Sequence, residues 1–265
     1  MADKQPVIDP SLVNPRVIEV YSACVAALQQ VVRDHKISED ELIDAGRFFN
    51  RLGASGMFPS MLIASLAMTA IDVTRSAAGG TRQNLEGPFY KAQAQALADG
   101  NLLRDGDYAD APKMRLSGRV LDAASGAPLP GAGLHFWQAD HHGEYDNTGE
   151  KLRCIVVADA EGRYQLDTVV PLDYSAHDDD PIGELYRAMG RHNRRAAHIH
   201  LKAFAAGYVA LTTQLFIAES RYIDNDYVED TVSDDLLLHL KDDPAGMPHA
   251  RFDISLLPNH ERAKA

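Results

Sequence analysis

The spacing of apolar residues changes at Gly87-Pro88, and this change constrains the fold more than any other feature of the sequence. Ahead of it, apolar positions recur every three or four residues, the period of an amphipathic helix. Asn14 stands as an N-cap with Pro15 at the first helical position, and Val17, Tyr21, Cys24, Leu28 and Val31 share one face. Ser38 and Glu41 form a capping box at the start of a second helix, with Ile37 and Leu42 at the staple positions and Gly53 after the last apolar turn. A third apolar segment, residues 60–76, stops before Gly79-Gly80.

Beyond Gly87-Pro88, short runs rich in Val, Leu, Tyr and Thr are separated by Gly, Pro, Asp and Asn every eight to twelve residues, as in a β-sandwich or barrel. Strands are expected at 114–121, 133–138, 153–158, 163–170, 197–203, 212–217 and 251–256, with a turn at Gly126 to Gly131 between the first two. The expected fold class is α+β in blocks: a helical N-terminal region, 1–105, followed by a mostly antiparallel β-sandwich, 106–265.

Composition excludes several functions. With 26 Lys and Arg against 38 Asp and Glu, the net charge of −12 disfavours a phosphate-binding surface, so no nucleic-acid partner is expected. The acids gather at 173–184 and 224–235 and read as solvated, mutually repelling surface rather than a cation site. Two cysteines, Cys24 and Cys154, give neither a disulfide framework nor a thiolate metal centre and fit a reducing compartment. The first ten residues lack an apolar signal core, and the longest apolar stretch, 61–71, is short and interrupted by Ser65 and Thr69; a cytoplasmic location without membrane insertion is expected.

The sharpest local motif is His198-Ile199-His200. In a strand both imidazoles face one side, with Cα atoms about 6.5–7 Å apart, so two nitrogens can converge on one ion. This is half a metal site, and paired polar residues on a solvated strand face are common. Asp178, Asp179 and Asp180 lie in a polar segment that reads as facing water, and of the adjacent His141 and His142 only one could face a common centre. Tyr145 and Tyr174 each follow an expected strand at loop positions, but spacing alone does not select them from ten tyrosines.

Several segments, in order, resemble the intradiol ring-cleavage dioxygenases, in the catechol and hydroxyquinol 1,2-dioxygenase branch. They are Leu85-Glu86-Gly87-Pro88-Phe89-Tyr90; Gly118-Arg119-Val120 running to Trp137 and Gly143-Glu144-Tyr145; Gly162-Arg163-Tyr164 with Val170-Pro171 and Tyr174; Arg195-Ala196-Ala197-His198-Ile199-His200; and Leu211-Thr212-Thr213-Gln214. The resemblance covers residues 85–225 and implies a mononuclear non-haem Fe(III) held by Tyr145, Tyr174, His198 and His200. Hard phenolate donors suit a hard trivalent ion. It further implies that Tyr174 is the tyrosinate displaced by a catechol, that Arg195 offers its guanidinium to charge developing on the ring, and that Gln214 orients a neighbouring group. Leu85, Pro88 and Phe89 match the loop that walls the substrate pocket. The implied reaction opens the ring between the two hydroxylated carbons with O2, giving a cis,cis-muconate-type or maleylacetate-type product. A homodimer joined through the N-terminal helices is also implied, with the presence of a lipid between them left open; those helices are expected to contribute to the pocket as well.

This sequence departs from the family at His135, where an acidic residue is usual. Trp137-Gln138-Ala139-Asp140 and Asp180-Pro181-Ile182-Gly183 look closer to hydroxyquinol enzymes, whereas the third helix carries no acid before Asp72 to meet an extra ring hydroxyl, so the choice among catechols stays open. Two other readings compete. A non-enzymatic β-sandwich binding module shares the Gly118-to-Gly131 turn pattern but has no reason to keep all four candidate ligands; a hydrolase or Fe(II) enzyme would pair the histidines with an acid.

Overall fold

The helical period is realised as α1 (Pro15–His35), α2 (Glu39–Ala54) and α3 (Phe58–Arg75) in a computed structural model that describes residues 11, 13–75, 79–103, 108–175, 177–244 and 246–259. Asn14 Oδ1 accepts from the backbone N–H of Arg16 and Val17, and Lys36 closes α1 in the left-handed conformation at φ 53°. The Ser38–Glu41 capping box is complete: Ser38 N–H donates to Glu41 Oε2 at 2.8 Å and Glu41 N–H to Ser38 Oγ at 3.3 Å. Gly53 does not end α2; it sits in the last turn, with Ser55 as cap. The expected end of the third helix, Ser76, and the expected division at residue 105 lie outside the described residues.

The chain forms two compact units, Met1–Ser55 and Gly56–Ala265. The first holds α1 and α2. The second holds α3 and, in chain order, β1 (Lys113–Asp122), β2 (Gly133–Gln138), β3 (Arg153–Val157), β4 (Arg163–Val169), β5 (Tyr174–Ser175), α4 (Pro181–Ala188), β6 (Arg194–Arg195), β7 (His198–Phe204), β8 (Leu211–Ile217), β9 (Leu237–Leu238), β10 (His249–Arg251) and β11 (Ile254–Leu256).

One sheet centres on β1, which pairs antiparallel with β4 and, along its other edge, parallel with β10 and then β11. The second runs β3-β2-β7-β8-β9, antiparallel except for the last pair, and β5-β6 form a short ribbon. The sheets are therefore mixed, with antiparallel pairs in the majority. The strand expected over 251–256 is two strands broken at Phe252-Asp253. There Phe252 N–H donates to Ser117 O and Asp253 Oδ1 accepts from Arg119 N–H, which diverts the chain across β1. The acidic segment before Pro181 is not wholly solvated loop: Asp180 caps α4, accepting from the backbone N–H of Ile182 and Gly183.

Side-chain alternation builds the core between the two larger sheets. Met114, Leu116 and Val120 of β1 and Leu166 of β4 join Leu134 and Phe136 of β2, Ile199 and Leu201 of β7, and Leu215 of β8 in one apolar cluster. Full burial of such side chains contributes about 1.5–3 kcal/mol each before entropy is counted. The same alternation sends His135, Trp137, His198, His200 and Gln214 to the other face of the second sheet, where they are buried again. The segment around Asn84 to Tyr90 approaches that face. Asn84 anchors it, its backbone N–H bonding Thr212 O and its side chain bonding both the carbonyl and the hydroxyl of Thr231.

Gly118 lies where β1 passes the Phe252 carbonyl, and a Cβ there would overlap that oxygen. Gly118→Ala is expected to lower stability by about 1–3 kcal/mol or more in urea unfolding; an unchanged midpoint would show that the β1–β11 crossing is slack.

Candidate metal centre

The second sheet places His198 and His200 side by side on β7, His200 opposite Trp137 of β2 and Gln214 of β8. Their Nε2 atoms lie 3.2 Å apart. His198 Nδ1 is 2.6 Å from the Ala196 carbonyl. A carbonyl only accepts, so Nδ1 carries the hydrogen and Nε2 keeps its lone pair. The His200 ring lies flat on Trp137, with centroids 4.7 Å apart and planes 5° from parallel. On its other flank is Gly87, at φ +73°, whose missing Cβ would come within 3.0 Å of His200 Cε1. Glycine serves here for both backbone conformation and close approach.

Tyr145, in the connection between β2 and β3, brings its hydroxyl to 3.4 Å from His198 Nε2. Phe89 stacks on its ring at 4.2 Å. Tyr174, on β5, stands edge-on to Tyr145 at 5.5 Å and 5.8 Å from the His198 ring. Its cross-strand partner is Arg195 of β6. Two phenols and two imidazoles, supplied by three separate segments of the chain, thus converge on one point.

Burial dominates the electrostatics. It pushes the His198 and His200 pKa values well below the ordinary imidazole range, helped by the Arg195 cation and, for His200, by His198. Both rings are neutral at pH 7. Burial raises both phenols, Tyr145 well above the ordinary value and Tyr174 less so; Arg195 opposes the rise at both, and the hydrogen bond between them favours the Tyr174 phenolate over that of Tyr145. Desolvation works against the Arg195 charge, but Asp226 and the two phenols outweigh it and hold the guanidinium ionised. Among the described residues, His, Cys, Asp and Glu form no group of three able to hold a metal. A metal here needs the phenol oxygens. The donor set fits one: the lone pair of His198 Nε2 faces His200 Nε2 with the Tyr145 hydroxyl beside it, and deprotonated phenols match a hard, highly charged ion.

Arg195 and Gln214 adjoin this group, Arg195 Nη2 donating to Gln214 Oε1 at 2.7 Å and Gln214 Nε2 to Leu85 O at 3.0 Å. Leu85 therefore meets the site through its carbonyl, Phe89 through its ring on Tyr145, and Pro88 is exposed. His141 and His142 pack on each other rather than joining the ligands. His135 is buried among Tyr90 and Trp137, and burial followed by Arg153 and Lys202 lowers its pKa to about 4, so the departure from an acid leaves a neutral group.

Two residues escaped the sequence reading. Arg153 is buried and donates to the carbonyls of Phe89 at 3.2 Å and Asp146 at 3.0 Å, clamping together the segments that carry the Phe89–Tyr145 stack. Asp226 belongs to an acidic stretch taken as solvated, yet it pairs with Arg195 in the interior. The apolar Tyr227-Val228 beside it was the available signal.

A family model described as a dioxygenase matches residues 85–258, the portion that carries every residue of this centre. That match places the chain among the dioxygenases. The chain is 32% identical to the hydroxyquinol 1,2-dioxygenase of Rhizobium sp., over 81% of this chain and 76% of that protein. It is 31% identical to the catechol 1,2-dioxygenase of Acinetobacter baylyi, over 81% and 73%. The crystal structure of hydroxyquinol 1,2-dioxygenase from Pseudomonas putida matches with a TM-score of 0.86 and 27% identity, covering 93% of each chain. The chain belongs to the intradiol ring-cleavage dioxygenases, in the branch of the catechol and hydroxyquinol 1,2-dioxygenases.

Two outcomes follow from this geometry. Gly87→Ala should displace His200, lowering metal content after reconstitution by about tenfold or more; full loading, measured by elemental analysis, would mean that the loop simply yields. In the metal-free protein, unfolding restores His198 and His200 to an imidazole pKa of about 6.5. Below that pH the unfolded chain binds more protons, so stability falls as pH drops from 7 toward 5. The urea midpoint should drop over this range, and His198→Asn with His200→Asn should shrink the drop; an equal drop in both proteins would exclude these imidazoles as its source.

Proposed function

We propose that this chain is a non-haem Fe(III) intradiol dioxygenase that uses O2 to open the ring of catechol, hydroxyquinol or a substituted catechol between the two hydroxylated carbons. The product is a cis,cis-muconate-type or maleylacetate-type diacid, a step of aromatic-compound degradation. The observation that carries this reading is the convergence of Tyr145, Tyr174, His198 and His200 on one point, with the two Nε2 atoms and the Tyr145 hydroxyl within 3.4 Å of one another along the chain of contacts. Those four residues would hold the iron. When bound, ferric iron supplies a Lewis acid for the two catechol oxygens and draws electron density from the ring toward reaction with dioxygen.

The protein residues divide the remaining work. Tyr174 is the proton acceptor for a substrate hydroxyl: Arg195 favours both phenolates, but the hydrogen bond between the two phenols favours the anion of Tyr174 over that of Tyr145, so its oxygen gives and takes a proton more readily. Tyr145, whose proton is held more tightly and whose ring is stacked on Phe89, is the fixed donor. Arg195, tied to Gln214, presents a permanent positive charge to negative charge developing on the ring. Leu85, Pro88 and Phe89 wall the ring and limit water at the reacting carbons. Hydroxyquinol and catechol enzymes stand at similar identity to this chain, which supports the substrate class rather than one ring. A homodimer through the N-terminal helices is supported by Val17, Ile18, Tyr21 and Leu28 of α1, each more than half exposed. The cytoplasm, with its reduced cysteines, is the proposed location.

The iron-loaded protein should show a broad visible tyrosinate-to-iron band that moves to longer wavelength on anaerobic addition of catechol or hydroxyquinol, and should consume O2 with one of them. A protein that stays colourless after iron reconstitution sinks the reading. Tyr174→Phe should alter the band and slow turnover; unchanged spectrum and rate would remove Tyr174 from the site. Because burial keeps both phenols protonated, iron uptake must release protons, so apparent affinity should rise as pH increases between 6 and 8, by up to about tenfold per unit for each proton released.

A further inference from the structure

Asp226 leaves the acidic stretch and enters the interior, where its side chain is 2% exposed. Each of its oxygens is engaged. Oδ1 accepts from Arg195 Nε at 2.8 Å and from Val228 N–H at 2.8 Å, and Oδ2 accepts from Ala196 N–H at 2.7 Å. The far side of the Ala196 residue matters equally, since its carbonyl receives His198 Nδ1–H. One carboxylate therefore grips both the guanidinium beside Tyr174 and the backbone on which the His198 imidazole is oriented.

The segment that delivers Asp226 is itself tied down. Tyr227 N–H donates to Arg194 O of β6, Glu229 N–H to Ala64 O of α3, and Thr231 exchanges hydrogen bonds with Asn84. From Arg195 the network continues through Gln214 to Leu85 O. Every contact to Asp226 comes from a donor, so only the acceptor-only carboxylate satisfies all three; an amide in its place would turn a donor toward one of them. With its Nε on Asp226 and Nη2 on Gln214, the guanidinium plane is fixed in direction as well as in charge.

We infer that Asp226 is a positioning residue of the reaction centre: through Arg195 it fixes the guanidinium toward Tyr174, and through the Ala196 backbone it fixes the His198 imidazole. This rests on the dioxygenase reading for its kinetic consequence, and on geometry alone for its structural one.

The test combines a double-mutant cycle with a measurement that needs neither iron nor turnover. In the iron-loaded protein, Asp226→Asn should lower kcat about 10- to 100-fold. When Arg195→Gln is already present, Asp226→Asn should lower kcat at least about threefold less than it does in the wild type, because one of its two partners is gone while the Ala196 backbone remains. Losses that multiply in the double variant, or wild-type kcat in Asp226→Asn, overturn the inference. In metal-free wild-type protein labelled with nitrogen-15 arginine, the Arg195 Nε–H should exchange with solvent at least about 100-fold more slowly than an exposed arginine. Fast exchange overturns the inference even if Asp226→Asn does not fold. A wild-type protein without oxygen uptake on catechol or hydroxyquinol would refute the dioxygenase reading, while the exchange measurement would still decide whether Asp226 holds Arg195.

Discussion

Burial of strand β7 on both faces is the constraint on which the rest of this structure depends. On one face Ile199, Leu201 and Ala203 enter the apolar core; on the other His198 and His200 are equally withdrawn from water. A strand in this position cannot slip by one residue, because the slip would exchange imidazoles for isoleucine and leucine. The hydrophobic core thus sets the register that brings two nitrogens within 3.2 Å of each other. Packing energy spent on one side of the sheet fixes chemistry on the other.

Withdrawal from water also determines which charges the site tolerates. Neutral imidazoles and protonated phenols surround the cation Arg195, whose charge is matched by Asp226. Removing one member of such a buried pair leaves an uncompensated charge, which is far more damaging than losing an exposed ion pair. Salt bridges such as Arg16–Glu19 and Arg47–Asp44 on the helices lie in water and contribute little by comparison.

Much of this was legible in the sequence where the signal was local. The Asn14 and Ser38 caps and the β2 strand rest on residues a few positions apart, and the structure places them where the pattern does. The two-residue strands β5, β6 and β9 carry no periodicity, since their existence depends on partners far along the chain. Helix α4 has its cap and proline in plain view at Asp180-Pro181, but the surrounding acids masked them. In the site, strand alternation alone united His198 with His200. Tyr145 lies within the connection between β2 and β3 and Tyr174 opens β5, after paths no short-range rule dictates, and only the resemblance selected them. Arg153 and Asp226 were missed because a charged side chain is by default a surface one, and the backbone carbonyls and amides that satisfy them come from other segments.

The Arg153 clamp carries a consequence for how such a protein can diverge. It binds the backbone of Phe89 and of Asp146, so the ring that walls the site and the neighbouring Tyr145 phenol are parts of one rigid unit. A shorter side chain at Phe89 would enlarge the space for a ring and, in the same stroke, remove the surface that steadies Tyr145. Ligand range and donor rigidity are therefore not independently adjustable here. A lineage seeking a wider site would meet less resistance at Pro88, which is exposed, than at Phe89.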